Sequence, residues 1–213
     1  MRRARLIEQF PFLAWPIGRV RMHTATNNYL YSSGWVRSLG TFLPADAEGK
    51  PLPWYSYPAI EFLSERLTRD LSVLEYGAGN STLWYAARVG HVVSVEDHAG
   101  WAERLRQTVP GNVTIKFATG DEYASAAAAS GTAYDIVVVD GAMRNDCALR
   151  SASSLSPGGI FVWDDAQREE YKPGFDALKA RGFRKIDFYG LAPINATPKS
   201  TAILYRDANV LGI

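Results

Sequence analysis

Two groups of residues in this chain have types and spacings that could do chemistry. The first is Glu75-Tyr76-Gly77-Ala78-Gly79-Asn80-Ser81-Thr82. Two glycines let the backbone turn sharply and approach a ligand closely, and the acid before them puts a negative charge beside it. Glu96 follows Glu75 by 21 residues, where a carboxylate can accept both hydroxyls of a ribose. A solvated strand end is the plain alternative for Glu96-Asp97. The second group is acidic: Asp140, then Asp164-Asp165 after Leu155-Ser156-Pro157-Gly158-Gly159. Three clustered carboxylates cannot all ionise cheaply without a counter-cation. They are read as oxygen ligands for a hard divalent ion, Mg2+, with one or two of them turned to water as the bland alternative.

The first group also says what the ligand is not. A dinucleotide loop wants a third glycine so that the helix can approach a pyrophosphate, and Thr82 stands there instead. Glu75 would repel a phosphate and suit the ammonium of an amino-acid tail. A nucleoside carrying an amino acid and no phosphate describes S-adenosylmethionine. A helix opening near Ser81 would carry the loop.

The elements that must hold these residues are visible as apolar runs. Val73-Leu74-Glu75-Tyr76, Val92–Val95, Val113–Phe117, Ile136–Val139 and Ile160–Trp163 alternate with helix-length stretches. Such runs, buried on both faces, indicate βαβ units and a parallel sheet. Ile60, Leu63, Leu67 and Leu71 recur at helical spacing and predict a helix ending near Asp70. Two further strands, 184–189 and 201–206, suit an antiparallel hairpin. The expected fold is a doubly wound, Rossmann-like α/β domain, mostly parallel, of about seven strands with that C-terminal hairpin. Residues 51–213 form the domain. Residues 1–50 read as an irregular arm with a helical turn or two and turn formers at Asn27-Asn28, Ser32-Ser33-Gly34 and Pro44.

Composition narrows the class. The 213 residues carry 23 Lys+Arg against 22 Asp+Glu, so the chain is no polycation that coats nucleic acid, and no nucleic-acid partner is expected. The arm holds seven basic and three acidic residues, the remainder 16 and 19. The arm's basic and aromatic content is read as simple packing against the domain, with an acceptor-site lid or a homodimer contact as the functional alternative. A single cysteine, Cys147, excludes an internal disulfide and reads as a small apolar packing residue. No apolar stretch approaches the roughly 18 residues of a spanning helix. Arg2, Arg3 and Arg5 precede a short run broken by Pro11 and Pro16, which argues against a signal peptide, so cytoplasm is the expectation. The N-x-S/T triplets at Asn80, Asn112 and Asn195 are read as chance matches.

Over about 71–165 the chain resembles the class I S-adenosylmethionine-dependent methyltransferases. Glu75-x-Gly77-x-Gly79, Glu96, Gly120-Asp121 and Asp140-Gly141 carry the resemblance. It implies that the Gly77–Gly79 loop, with Glu75, Ser81 and Asp140, holds the methionine part and Glu96 the ribose. Asp121 would hold the adenine amino group with Tyr123 close by, although Asp121 alone could equally be a helix N-cap. The acidic group is similar to that of the metal-dependent O-methyltransferases, of the catechol, caffeoyl-CoA and macrocin types. This implies Asp140, Asp164 and Asp165 as metal ligands, Asp140 and Asp164 as catalytic, and methylation of a small-molecule or sugar hydroxyl. The catechol type has a lysine base just after the strand-four Asp, whereas this chain has Arg144, which stays protonated and could instead bind a polar acceptor. The base is left among a metal-bound oxygen, a carboxylate and His98. Trp54, Tyr55 and Tyr57 could wall the acceptor pocket, and Trp84 and Trp101 could cover the sheet or the adenine. The rivals are an aminopropyltransferase-like enzyme and a non-catalytic S-adenosylmethionine-binding interaction module.

Overall fold

The computed structural model describes residues 10, 12, 14–24 and 28–213. Arg2, Arg3, Arg5, Pro11 and Asn27 lie outside them. The apolar runs become β1 (Ser72–Tyr76), β2 (His91–Glu96), β3 (Val113–Phe117), β4 (Tyr134–Val139) and β5 (Leu155–Trp163), all parallel. β6 (Arg184–Gly190) and β7 (Lys199–Tyr205) form the C-terminal hairpin, β7 running antiparallel to both β5 and β6. The order is β3-β2-β1-β4-β5-β7-β6. The chain winds outward from β1 to β3 and then returns to β4, so the switch point lies between β1 and β4, where open α/β sheets bind ligands.

Register fixes the ligand edge. Tyr76 pairs with Val95 and Val139, and Val139 pairs with Trp163. The next residues, Gly77, Glu96, Asp140 and Asp164, therefore leave adjacent strands at one carboxyl edge. Both sheet faces are covered, as β-branched runs without polar alternation require. On one face Val73, Val92, Ile136, Val138 and Ile160 pack with Leu63, Trp84 and Tyr85. On the other, Leu74, Val93, Val137, Phe161 and Trp163 pack with Tyr123, Cys147 and Leu178. Burying each such Val, Leu, Ile or Phe contributes about 1.5–3 kcal/mol.

Ten helices surround the sheet among the described residues. α1 (Ala14–Thr24), α2 (Tyr29–Ser32) and α3 (Trp35–Thr41) belong to the arm, which is more helical than its sequence predicts. Local devices explain this: Asn28 Oδ1 accepts from Leu30 N at 3.0 Å to start α2, and Phe42, at φ 56°, ends α3. α4 (Tyr57–Ser64) stops a turn and a half before the expected Asp70. Arg66 N and Leu67 N both fold back to Leu63 O, and Arg69 reaches away to the carbonyls of Ala86, Ala87 and Val89. Leu67 and Leu71 still join the same core, which is why the apolar spacing outlasts the helix. α5 (Asn80–Ala86), α6 (Ala99–Arg106), α7 (Gly120–Ala124), α8 (Ala126–Ala129), α9 (Arg144–Ser151) and α10 (Lys172–Ala180) complete the set. None of the described helices is long and apolar enough to cross a membrane.

Candidate active site

β1 delivers the first feature. Gly77 has φ 92°, and a Cβ there would lie 2.9 Å from Gly141 Cα. The loops after β1 and β4 thus touch backbone to backbone, a contact that glycine at 77 and 141 permits. Below the loop, Glu75 is fully buried. Its Oε2 accepts from Thr82 Oγ1 at 2.5 Å and Ser94 Oγ at 2.6 Å. Its Oε1 has no hydrogen-bond partner. Burial pushes the Glu75 carboxyl up to about 7, against the pull of the Ser81, Ser94 and Thr82 hydroxyls.

Thr82 does more than fail to be a glycine. Its Oγ1 also accepts from Gly79 N at 3.0 Å, so it caps α5 while holding Glu75. Glu96 lies at the end of β2, where Oε2 accepts from Ala78 N at 3.0 Å and Oε1 from His98 N at 2.9 Å. Each oxygen keeps a lone pair for a further donor.

A cleft of about 300 Å³ opens above the loop, within the range of small-ligand sites. Gly77, Ala78, Gly79, Asn80 and Ser81 form its floor, and Asp140 one side. Leu43, Pro44, Trp54 and Trp101 form the rim. The arm is therefore a wall of this cleft: Asn80 Nδ2 donates to Pro44 O at 2.8 Å, and Trp35 Nε1 to Asn195 O at 2.8 Å. Trp54 is fixed by Nε1 donating to Asn195 Oδ1 at 2.5 Å, and Trp101 by Nε1 donating to Ala78 O at 2.8 Å.

The other candidate residues lie outside the lining of this cleft. Asp121 is exposed and pairs with Arg150 at 2.6 Å, away from the cleft lining. Tyr123 is buried beneath Gly141 and packs on Tyr76. Tyr55 and Tyr57 are core residues, and Trp84 covers the sheet. His98 caps α6, its Nδ1 accepting from Trp101 N at 3.1 Å. Arg144 clamps the strand ends: Nε donates to Gly141 O at 3.0 Å, Nη1 to Asp164 O at 2.6 Å and Nη2 to Asp140 O at 2.9 Å. It lines a second depression of about 450 Å³ with Gly141, Met143 and Tyr171, while Asp140, the residue before Gly141, borders the first.

The three acids do come together, but their counter-cations are the chain's own. Lys199, at the start of β7, donates Nζ to Asp164 Oδ2, to Asp165 Oδ1 at 2.8 Å and to Trp54 O at 3.1 Å. Thr201 Oγ1 donates to Asp164 Oδ1 at 2.7 Å. Arg168 pairs with Asp165 at 2.7 Å and Arg144 with Asp140 at 3.1 Å. Burial would lower Lys199, but Asp164 and Asp165 outweigh it and hold the ammonium above its usual value. Burial would raise Asp165, yet Lys199, Arg144 and Arg168 hold it below the usual carboxylate range. The acids expected to hold Mg2+, Asp140, Asp164 and Asp165, are thus met by cations of the chain itself. Both oxygens of Asp164 and of Asp165 already face cations or a hydroxyl, and no His, Cys, Asp and Glu group among the described residues could hold a metal ion. Lys199 escaped the sequence reading because its partners lie 35 residues upstream and only the hairpin brings them together. A lone lysine opening an otherwise uncharged strand, Lys199-Ser-Thr-Ala-Ile-Leu-Tyr205, was its one signal.

Asp140 differs from the pair. It has one partner cation at 3.1 Å and borders the cleft. Burial and the neighbouring Asp164 push its carboxyl well up, against Arg144 and Lys199.

No family model and no curated protein sequence matches the chain. Solved structures do. A candidate O-methyltransferase from Klebsiella pneumoniae superposes with a TM-score of 0.57 at 15% identity, covering 90% of this chain and 96% of its own. A precorrin-6y C5,15-methyltransferase from Geobacter metallireducens GS-15 gives 0.55 at 16%, covering 70% and 88%. The fold is that of the class I methyltransferases. The spermidine synthase of Thermotoga maritima shares it too, at 0.55 and 14% identity over 74% of this chain and 59% of that one. At these identities the likeness speaks to the fold, and the chemistry must come from the site.

Proposed function

We propose that this chain is an S-adenosylmethionine-dependent methyltransferase of the cytoplasm, acting on a hydroxyl of a small molecule or sugar. The observation that carries the reading is Glu75, a buried carboxylate with an unpartnered oxygen beneath a glycine loop whose third glycine is replaced by Thr82. Such a floor favours a cationic amino-acid tail and disfavours a pyrophosphate. Glu96 is suited to the ribose hydroxyls, and Trp101, Trp54 and Leu43 to enclosing the nucleoside.

When bound, the donor supplies an electrophilic methyl group on a sulfonium. The chain must then align the acceptor and take its proton. Asp140 suits the second task. Its raised carboxyl makes it a stronger base than an ordinary aspartate, and with Oδ1 engaged by Arg144, the proton goes to Oδ2. Trp54, its carbonyl held by Lys199, positions the acceptor against that oxygen. Asp164 and Lys199 are positioning groups and do not meet the acceptor. An aminopropyl transfer to a polyamine is the weaker reading, since Lys199 and Arg168 neutralise the carboxylates that would bind a polycation.

The test is thermal. S-Adenosylhomocysteine should raise the melting temperature of the purified protein while NAD leaves it unchanged. Stabilisation by NAD alone would overturn the reading.

A further inference from the structure

Three buried polar atoms on one side of the sheet have no protein partner, and the chemistry above uses only one of them. They are Glu75 Oε1, the Tyr55 hydroxyl and the Tyr85 hydroxyl, each on a side chain that is fully buried. Glu75 alternates along β1 with Val73, which packs with Tyr55 and Tyr85, so its carboxyl points to that same face. Tyr85 follows Ser81 by four residues and Thr82 by three, which puts it on the flank of α5 that grips Glu75. Tyr55 is locked through both of its neighbours. Lys199 Nζ donates to Trp54 O at 3.1 Å, and Ser56 N donates to Thr201 Oγ1 at 3.0 Å. Buried polar groups are nearly always hydrogen-bonded, so three orphans in one layer call for a common cause.

Their surroundings fix which of them can donate. Burial pushes the Tyr55 hydroxyl well above its usual value, and Tyr85, Asp140 and Glu75 add to the rise. Burial does the same to Tyr85 against the pull of Tyr55, with Glu75, Asp140 and Asp164 adding to it. Both phenols therefore keep their protons and can donate. An ionised carboxylate only accepts, and Glu75 becomes one at about pH 7. Its Oε2 is then met by Thr82 and Ser94, while Oε1 still needs a donor. The other acids that face this layer are Glu96 from β2, Asp140 from β4 and Asp164 from β5. Arg144 answers Asp140 and Lys199 answers Asp164, whereas the pull on Glu75 against its burial comes from hydroxyls.

We propose that Tyr55 and Tyr85 are positioning residues for Glu75: their hydroxyls donate to Oε1 of the ionised carboxylate, directly or through one buried water, and so set the pH at which the cleft floor becomes anionic. The proton that Glu75 sheds goes to solvent as a cationic ligand arrives, and the tyrosines keep theirs. The proposal rests on the reading of Glu75 as the floor beneath a cationic tail, and it names what tunes that floor.

Urea denaturation of the full chain against pH tests the tyrosines without any ligand. In the parent, stability should fall as pH climbs from about 4.5 and level off above about 7. In Tyr85→Phe, and in Tyr55→Phe, the levelling point should move up by about one pH unit, because the ionised form loses a hydrogen bond worth about tenfold. Tyr57→Phe removes a buried hydroxyl from the same cluster, one that faces Ser33 and Ser38, and should leave the point in place. Calorimetry should show Tyr85→Phe binding S-adenosylmethionine about fivefold more weakly than the parent at pH 7 and close to it at pH 9. In a Glu75→Gln background, adding Tyr85→Phe should change neither profile. An unmoved levelling point in either tyrosine variant would overturn the proposal. So would a shift that persists in the Glu75→Gln background, since Asp140 would then be the group served. If Tyr55→Phe fails to fold, Tyr85→Phe decides alone. If the levelling points move as expected but the parent binds no S-adenosylmethionine, the methyltransferase reading falls and the link between the tyrosines and Glu75 stands.

Discussion

Glu75 is the residue at which burial and chemistry pull hardest against each other. Moving its carboxyl from the usual 4.5 to about 7 corresponds to roughly 3 kcal/mol in favour of the neutral form. An acid raised in the fold makes the ligand-free protein lose stability as pH climbs from about 4.5 through about 7, with no further loss from this group above that. A cationic ligand needs the ionised form, so its affinity should move the other way. Calorimetric affinity for S-adenosylmethionine should rise between pH 6 and 8 by about tenfold and then level off. Glu75→Gln should flatten that profile, weaken binding, and make the unliganded protein more stable than the parent at pH 8. A flat profile in the parent would remove Glu75 from the ligand's environment. The position of Glu75 was legible in the sequence, because an acid before paired glycines at the end of an apolar run has few other uses. Thr82 was legible only as an absence. Its double role, capping α5 and gripping Glu75, depends on a side-chain rotamer that spacing does not encode.

At the scale of elements, the parallel strands were readable because each is short, β-branched and buried on both faces. The C-terminal hairpin was readable too, but not what it carries. β7 runs antiparallel beside β5, and this reversal sets Lys199 against Asp164 and Asp165. Three acids in the sequence suggest a metal; in the structure the hairpin brings an ammonium to two of them. Removing one partner of a buried ion pair leaves the others uncompensated, which costs about 3–5 kcal/mol. Lys199→Met should therefore destabilise the protein by about that amount in urea denaturation. Adding Asp164→Asn to it should recover much of the loss, because the uncompensated charge is gone. A chelator should leave the stability of the parent unchanged. If Lys199→Met is neutral and chelator is destabilising, the cluster is a metal site after all.

For the whole molecule, the opposed charges of arm and body acquire a spatial meaning. The sequence puts a boundary at residue 50, and its aromatic content suggests that the arm packs on the domain without saying where. Contacts between them are specific and distant in sequence: Tyr29 Oη donates to Glu61 at 2.7 Å, Trp35 to Asn195, and Asn80 to Pro44. They were illegible beforehand because each is a single polar bond between irregular segments, with no periodicity to announce it. These contacts divide the arm functionally at about Asn28, before α2. A chain beginning at Asn28 keeps α2, α3, Leu43 and Pro44, so it should fold and bind S-adenosylhomocysteine like the full chain. A chain beginning at Leu52 loses one wall of the cleft together with the Pro44 carbonyl that anchors Asn80. Calorimetry should then show about tenfold weaker binding, the loss expected when a small-ligand cleft gives up one apolar wall and a loop anchor. The melting temperature should also fall, because Tyr57 loses the Tyr29 ring packed on it and Asn195 loses the Trp35 indole. If the chain beginning at Leu52 binds as tightly as the full one, the arm is an appendage and not a wall of the cleft.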